Sequence, residues 1–200
     1  MSCYITYNNK NYTEKDFKEY LKSVLAEKQN TSTEIKTPEN FINHSGGAYG
    51  ADTMWDQVGR EFGVTEHKHY REGANSNLSQ KLKNSGVKAS VITKEELEIA
   101  RTEVEKLLGK KYPDTVQGNL QVRNYYQVAN ADAVFAIAPI ENSDKVSGGT
   151  NTAVQLGIKM GKPVYVWDTN TEKWFTYSKL EGLVETTTPT LTKNFAGVGT

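Results

Sequence analysis

The run Ala133 to Ile140, AVFAIAPI, constrains the fold more than any other stretch of the chain. It is too short to cross a membrane and too continuously apolar for a half-exposed strand, so it reads as a strand buried on both faces. Strands of that kind belong to parallel sheets, and the crossovers between parallel strands are helices that cover the sheet. The neighbouring segments agree. Phe41 to His44 is a second candidate core strand, Val64 to Tyr70 is a more polar strand nearer an edge, and Pro163 to Asp168 (PVYVWD) is a further parallel strand. Between them lie amphipathic helices. One carries Met54, Trp55, Val58 and Phe62 at helical spacing, another spans Glu95 to Lys110 with Leu97, Ala100, Val104 and Leu107 inward, and a third spans Asn119 to Asn130.

The expectation is an α/β fold, a Rossmann-like open, mostly parallel sheet with helices on both faces. It forms a single domain whose core covers about residues 40–170. A hairpin strand (Tyr4 to Tyr7) and a helix capped by Thr13 with Asp16, striped by Phe17, Leu21, Val24 and Leu25, add to it over residues 1–30. Residues 71–92, rich in Gly, Ser, Asn and Lys, read as an irregular insertion. The tail, residues 171–200, is expected to add strands around Lys173 to Tyr177 and ending at Phe195.

Composition narrows the function classes. The 200 residues are 36% hydrophobic and 24% charged, a globular and soluble balance. Twenty-four basic residues meet 24 acidic ones, so the excess of Lys and Arg that phosphate neutralisation demands of a DNA or RNA binder is missing. Cys3 is the one cysteine, which excludes an intramolecular disulfide. No apolar run reaches the roughly 20 residues of a membrane span, and the amino terminus lacks the apolar stretch of a signal peptide; a cytoplasmic protein is expected. His67 and His69 alternate on a strand without a third ligand at convincing spacing, so no metal is expected. Neither a G-x-S-x-G elbow nor a P-loop occurs, and no cofactor is expected.

Two glycine-rich segments carry the chemistry. SGGAYGAD (Ser45 to Asp52) and SGGTNT (Ser147 to Thr152) each follow a strand and open a helix. In a parallel sheet such loops emerge at the carboxyl ends of the strands, and they face one crevice if their strands straddle the point where strand order reverses. Glycine admits close backbone approach, and helix-start N–H groups favour an anion such as a phosphate or pyrophosphate.

These residues resemble the SLOG superfamily of Rossmann-like nucleotide-ligand binders, most closely its YpsA-related branch. The resembling stretches are INHSGGAYGADTMW (Ile42 to Trp55), NLQVRNYYQVANADAVFAIAP (Asn119 to Pro139) and SGGTNTAVQLGIKMGKPVYVWD (Ser147 to Asp168). The resemblance implies a crevice lined by Ser45, Gly46, Gly47, Ala48 and Asp52 on one side and by Gly148, Gly149, Thr150, Asn151 and Thr152 on the other. Arg123 and Asn124 project from the helix between, with Arg123 suited to a bidentate phosphate contact. Asp52 either takes a ribose hydroxyl or caps its helix. Trp167 and Asp168, at a strand end on the same edge, either contact a base or, for Trp167, pack in the core.

The cytokinin-activating LOG enzymes of the superfamily carry P-G-G-x-G-T-x-x-E, ending in a catalytic glutamate. Here the proline position is Ser147, the third glycine is Asn151, and the glutamate position is Gln155. Glutamine cannot ionise, though it can still hydrogen-bond a ribose. The resemblance therefore implies a non-catalytic binder of an NAD-derived or cyclic-nucleotide signal, one version being a sponge that sequesters it in phage–bacterial immune signalling. The alternatives are a LOG-like nucleoside-phosphate N-glycosidase in which Asp52 or Glu141 replaces the glutamate, and an interaction subunit with a vestigial pocket. Relatives also imply a homo-oligomer, with Leu183 to Thr200 as an exposed tail available to its interface.

Overall fold

A computed structural model describes residues 4–7, 10–13, 40–72, 80–84 and 89–199. The helix expected after Thr13, with Phe17, Leu21, Val24 and Leu25, lies outside the described residues. β1 (Tyr4–Tyr7) and β2 (Lys10–Thr13) pair as an antiparallel hairpin, so Thr13 ends a strand.

The remaining chain builds an α/β sandwich around an eight-stranded, mostly parallel sheet, a Rossmann-like arrangement. In chain order its elements are β3 (Ile42–Ser45), α1 (Ala51–Glu61), β4 (Glu66–Glu72), α2 (Gln80–Asn84), β5 (Ser90–Ile92), α3 (Lys94–Leu108), α4 (Val116–Val122), α5 (Asn124–Ala129) and β6 (Ala133–Ile137). Then come the small hairpin β7 (Ile140–Asn142) and β8 (Lys145–Val146), α6 (Thr150–Lys159), β9 (Val164–Asp168), β10 (Lys173–Ser178), β11 (Gly182–Thr186) and β12 (Asn194–Gly199). Across the sheet the order is β11-β10-β9-β6-β12-β3-β4-β5; β10 pairs antiparallel with both β9 and β11, and every other pair is parallel.

β6 is buried at every residue, as AVFAI requires, but it ends at Ile137 because Pro139 has no N–H for a ladder. The helix expected over residues 119–130 is two helices meeting at Arg123. The insertion at 71–92 contributes α2 and the edge strand β5. α3 forms where expected: Thr93 and Glu96 close a reciprocal capping box at its start, and Gly109, at φ 64°, ends it in the left-handed region.

Two apolar cores lie on opposite faces of the sheet. α1 covers one with Met54, Trp55 and Val58 against Phe135, Ile137 and Phe195. α3, α5 and α6 cover the other with Leu97, Val104, Val128, Val154 and Leu156 against Val134, Val164 and Val166. Gly157 lets α6 sit close, since a Cβ there would lie 2.8 Å from a Val164 methyl and 2.9 Å from a Val134 methyl.

The tail departs most from expectation. β12 begins at Asn194 and runs through the centre of the sheet between β6 and β3, with Phe195 to Val198 buried, so this stretch is neither an exposed arm nor an addition to a finished core. It also marks the switch point. From β3 the chain steps outward through β4 to β5, and from β6 it steps the other way to β9. β12 pairs with β6 over Phe195 to Gly199 but with β3 only at Asn194 and Phe195. Beyond Phe195 side chains replace the ladder on the β3 side. Gly197 N donates to Asn43 Oδ1 (3.2 Å), Ser45 Oγ donates to Gly197 O (2.9 Å), and Trp55 Nε1 donates to Val198 O (3.3 Å). The seam between β3 and β12 therefore ceases to be a backbone ladder toward the strands' carboxyl ends, where the first glycine loop leaves. Among the described residues no helix is long and apolar enough to cross a membrane.

Candidate functional site

The first loop leaves β3 and enters α1 through Gly47 and Gly50, both at positive φ (64° and 93°) that a side chain rarely adopts. Its N–H groups already donate to a carboxyl belonging to the chain. Asp52, 8% exposed, accepts from Ala48 N at 3.4 Å and from Gly46 N. Burial pushes its carboxyl up, while Arg123 and those N–H groups pull it down; burial prevails. Ala48 O accepts from Thr53 Oγ1 at 2.6 Å, which fixes the turn. Ser45 is buried and spends its hydroxyl on Gly197 O, as above.

Arg123 is brought to this loop and not to open solvent. It is 5% exposed, and its Nη1 donates to Gly46 O (3.0 Å) and Tyr70 O (3.1 Å). A Cβ on Gly46 would lie 2.5 Å from Arg123 Nη2 and 2.8 Å from Asp52 Oδ2, so the guanidinium and the carboxyl meet over a glycine that must be a glycine. Burial lowers the Arg123 pKa and the Asp52 charge raises it. Arg123, expected to reach a phosphate, thus gives its Nη1 to two backbone carbonyls. Asn124 opens α5 beside it, half-buried.

The second loop is open. Ser147 N donates to Pro139 O (2.8 Å), which closes the β7–β8 hairpin beneath it, and Asn151 Oδ1 accepts from Val146 N (3.2 Å). Gly148 sits at φ 70°; Gly149 is the N-cap of α6 and, like Gly148, is exposed. Thr150 is buried behind them, and Thr152 Oγ1 donates to Gln121 Oε1 on α4 (3.3 Å). α4 thus touches both loops, the second through Gln121 and Thr152 at the start of α6, the first through its C-cap Arg123. Gln121 was not among the residues singled out in the sequence, because a glutamine in a short helix has no motif.

Three expected contacts are otherwise engaged. Gln155 Nε2 donates to Asp144 O and holds the hairpin onto α6. The Asp168 carboxylate accepts from Ile140 N (3.0 Å), Asn170 N (3.2 Å), and Thr171 N (3.3 Å) and Oγ1 (2.8 Å), so it caps the turn into β10 instead of addressing a base. Trp167, half-buried, meets Trp174 edge to face at 5.7 Å against the core on the α1 side.

No family model matches the chain, and no curated protein or solved structure matches it either.

Beneath the first loop, α1 turns Asp56 inward one turn beyond Asp52. Asp56 is 1% exposed, accepts from Nε and Nη2 of Arg60 (2.6 and 3.2 Å) and lies 2.7 Å from His69 Nε2. Burial opposes its charge, but the hydrogen bonds from His69 and Arg60 prevail and hold the carboxyl down to about 2. His67 stacks on His69, donates from Nε2 to Val64 O (3.1 Å) and accepts at Nδ1 from Asn43 Nδ2 (3.3 Å); burial holds it neutral, its pKa lowered to about 4. Among the described residues no three His, Cys, Asp or Glu side chains group to hold a metal ion. In the sequence these histidines suggest only metal ligands; the i, i+4 pair Asp52 and Asp56 is the signal that a buried polar face of α1 meets them.

Proposed function

We propose that this chain binds a nucleotide-derived small molecule without cleaving it, with a phosphate at the start of α6 and the rest of the ligand reaching across the switch point toward the first loop. Gly149 carries the reading. Its φ is −65°, which any residue adopts, and a Cβ there would meet nothing within 4 Å. Neither backbone geometry nor packing requires a glycine at this N-cap, where Asn, Asp or Ser would cap the helix better. Close approach of a ligand to the backbone does account for it, at an exposed helix start on the ligand-binding edge of an open α/β sheet. The resemblance to SLOG domains supports the same reading, and extends it to a signalling nucleotide held in the cytoplasm and, in the sponge version, removed from immune signalling.

Gln155 argues against turnover, because its amide is occupied within the fold and carries no charge. The N-glycosidase reading keeps one observation in its favour, the buried Asp52 carboxyl with its raised pKa. Release of free base from a nucleotide, lost in Asp52→Asn, is its test.

The binding reading is tested by Gly149→Ala. The extra methyl occupies open space, so unfolding free energy should change by less than about 1 kcal/mol. Nucleotide affinity by calorimetry should fall at least about tenfold, because the methyl stands where the phosphate oxygens approach. Unchanged affinity in a folded variant contradicts the assignment.

A further inference from the structure

Asp52 is the second residue of α1, but its bonds run backward out of the helix. Its carboxyl accepts from Gly46 N and, at 3.4 Å, from Ala48 N, both of which precede the helix. The N-cap of α1, Gly50, supplies no side-chain cap of its own. Two N–H groups aimed at one carboxyl, with the left-handed Gly47 between them, form a backbone nest, a concavity suited to an oxyanion. A side chain of the same chain already fills it.

Arg123 stands against that nest. A Cβ on Gly46 would lie 2.5 Å from Arg123 Nη2, 2.9 Å from its Cζ and 2.8 Å from Asp52 Oδ2, so guanidinium and carboxyl flank one glycine. Arg123 is 5% exposed, and its Nε has no partner among the described residues. That nitrogen always carries its hydrogen and can only donate. Buried donors are seldom left unmatched, so the nest and the arginine together offer more than Asp52 takes. The complement of the whole set is an oxyanion with more acceptor oxygens than one carboxyl. Such a group and Asp52 contend for the same two N–H groups, and both cannot be seated.

We propose that the Asp52 carboxyl is an internal competitor. It occupies an oxyanion seat made by Gly46 N, Ala48 N and Arg123, and it shuts the first loop to the anionic groups of a ligand until it is displaced. This goes beyond the binding reading above, in which the phosphate lies at α6. Of the two glycine loops, only the second then stands open to an anion, with Gly148 and Gly149 exposed. A ligand anionic at one end lies across the edge without disturbing Asp52, whereas one anionic at both ends has to drive it out.

The test is an amide NMR titration of the isotope-labelled full chain with inorganic phosphate, for the wild type and for Asp52→Ala. In the wild type the Gly46 and Ala48 amides should stay in place, while those of Gly149 and Thr150 report on the start of α6. In Asp52→Ala the Gly46 and Ala48 amides should move along a saturation curve. The apparent affinity there should exceed that of the wild type at least about tenfold, within what hydrogen bonds to a charged group are worth. Should that variant fail to fold, Asp52→Asn, which keeps the shape but not the charge, should move the same two amides. Gly46 and Ala48 amides that respond in the wild type as readily as that of Gly149 overturn the proposal, with or without a folded variant. So do amides that stay still in a folded Asp52 variant. Gly149 and Thr150 amides that never move count against the phosphate seat at α6 and leave the competitor standing.

Discussion

Gln155 and His67 show how one side chain's environment decides its chemistry. Gln155 donates its amide to Asp144 O, a contact that a carboxylate at this position would turn into repulsion between two acceptors. Gln155→Glu is therefore expected to destabilise the fold by about 1–3 kcal/mol at pH 7 in urea unfolding and to regain much of that loss near pH 4, where the carboxyl is protonated and donates again. His67 works in the opposite pH sense. The unfolded chain takes up its proton near pH 6.5, whereas the folded chain waits until about pH 4, so stability falls as pH drops through that window. The slope this one group contributes is up to about 1.4 kcal/mol per pH unit. His67→Gln, compared with the wild type by urea unfolding at pH 5 and 7, should reduce the acid loss between those two values by about 2 kcal/mol. The comparison separates His67 from Asp52, whose raised pKa adds stability as pH falls. Neither environment was legible in the sequence, since Asp144, Asn43 and Asp56 come to these side chains only through the fold.

At the scale of elements, periodicity located what periodicity can locate. α1, α3, α6, β6 and β9 lie within a few residues of the spans expected, because their apolar spacing is dictated by one buried face or two. The division of residues 116–129 into α4 and α5 was hidden, since an apolar stripe runs unbroken through Arg123 and the break serves a long-range contact to Gly46. The strap that ends α5 was hidden too. Lys162, just before β9, donates from Nζ to Val128 O (2.8 Å), Ala129 O (2.8 Å) and Ala131 O (2.5 Å), placing a cation on the carbonyl end of the helix. Lys162→Met keeps most of the stem and removes the three donors. It should cost about 1–3 kcal/mol in urea unfolding and raise amide hydrogen exchange first in α5, while leaving α3 as protected as before.

For the whole molecule, the sequence reading anticipated the layered α/β sheet and both glycine loops on one edge, but not the strand between them. β12 follows two antiparallel strands and carries Gly197 and Gly199, which read as weak strand residues; they are there because α1 lies on them, a Cβ at Gly199 falling 2.3 Å from Ala51 Cβ. That insertion sets the two loops apart: the last strand separates β3 from β6, its ladder to β3 stops after Phe195, and α4 contacts both loops. The central claim is that the edge carrying these loops binds an intact nucleotide-derived ligand. It is tested most directly by native mass spectrometry of the full chain mixed with mononucleotides, NAD, ADP-ribose and cyclic nucleotides, side by side with Gly149→Ala. The account predicts an adduct at the unaltered mass of one ligand on the wild type and its loss from the variant. No adduct with any of them, or one lighter by a base, would contradict it.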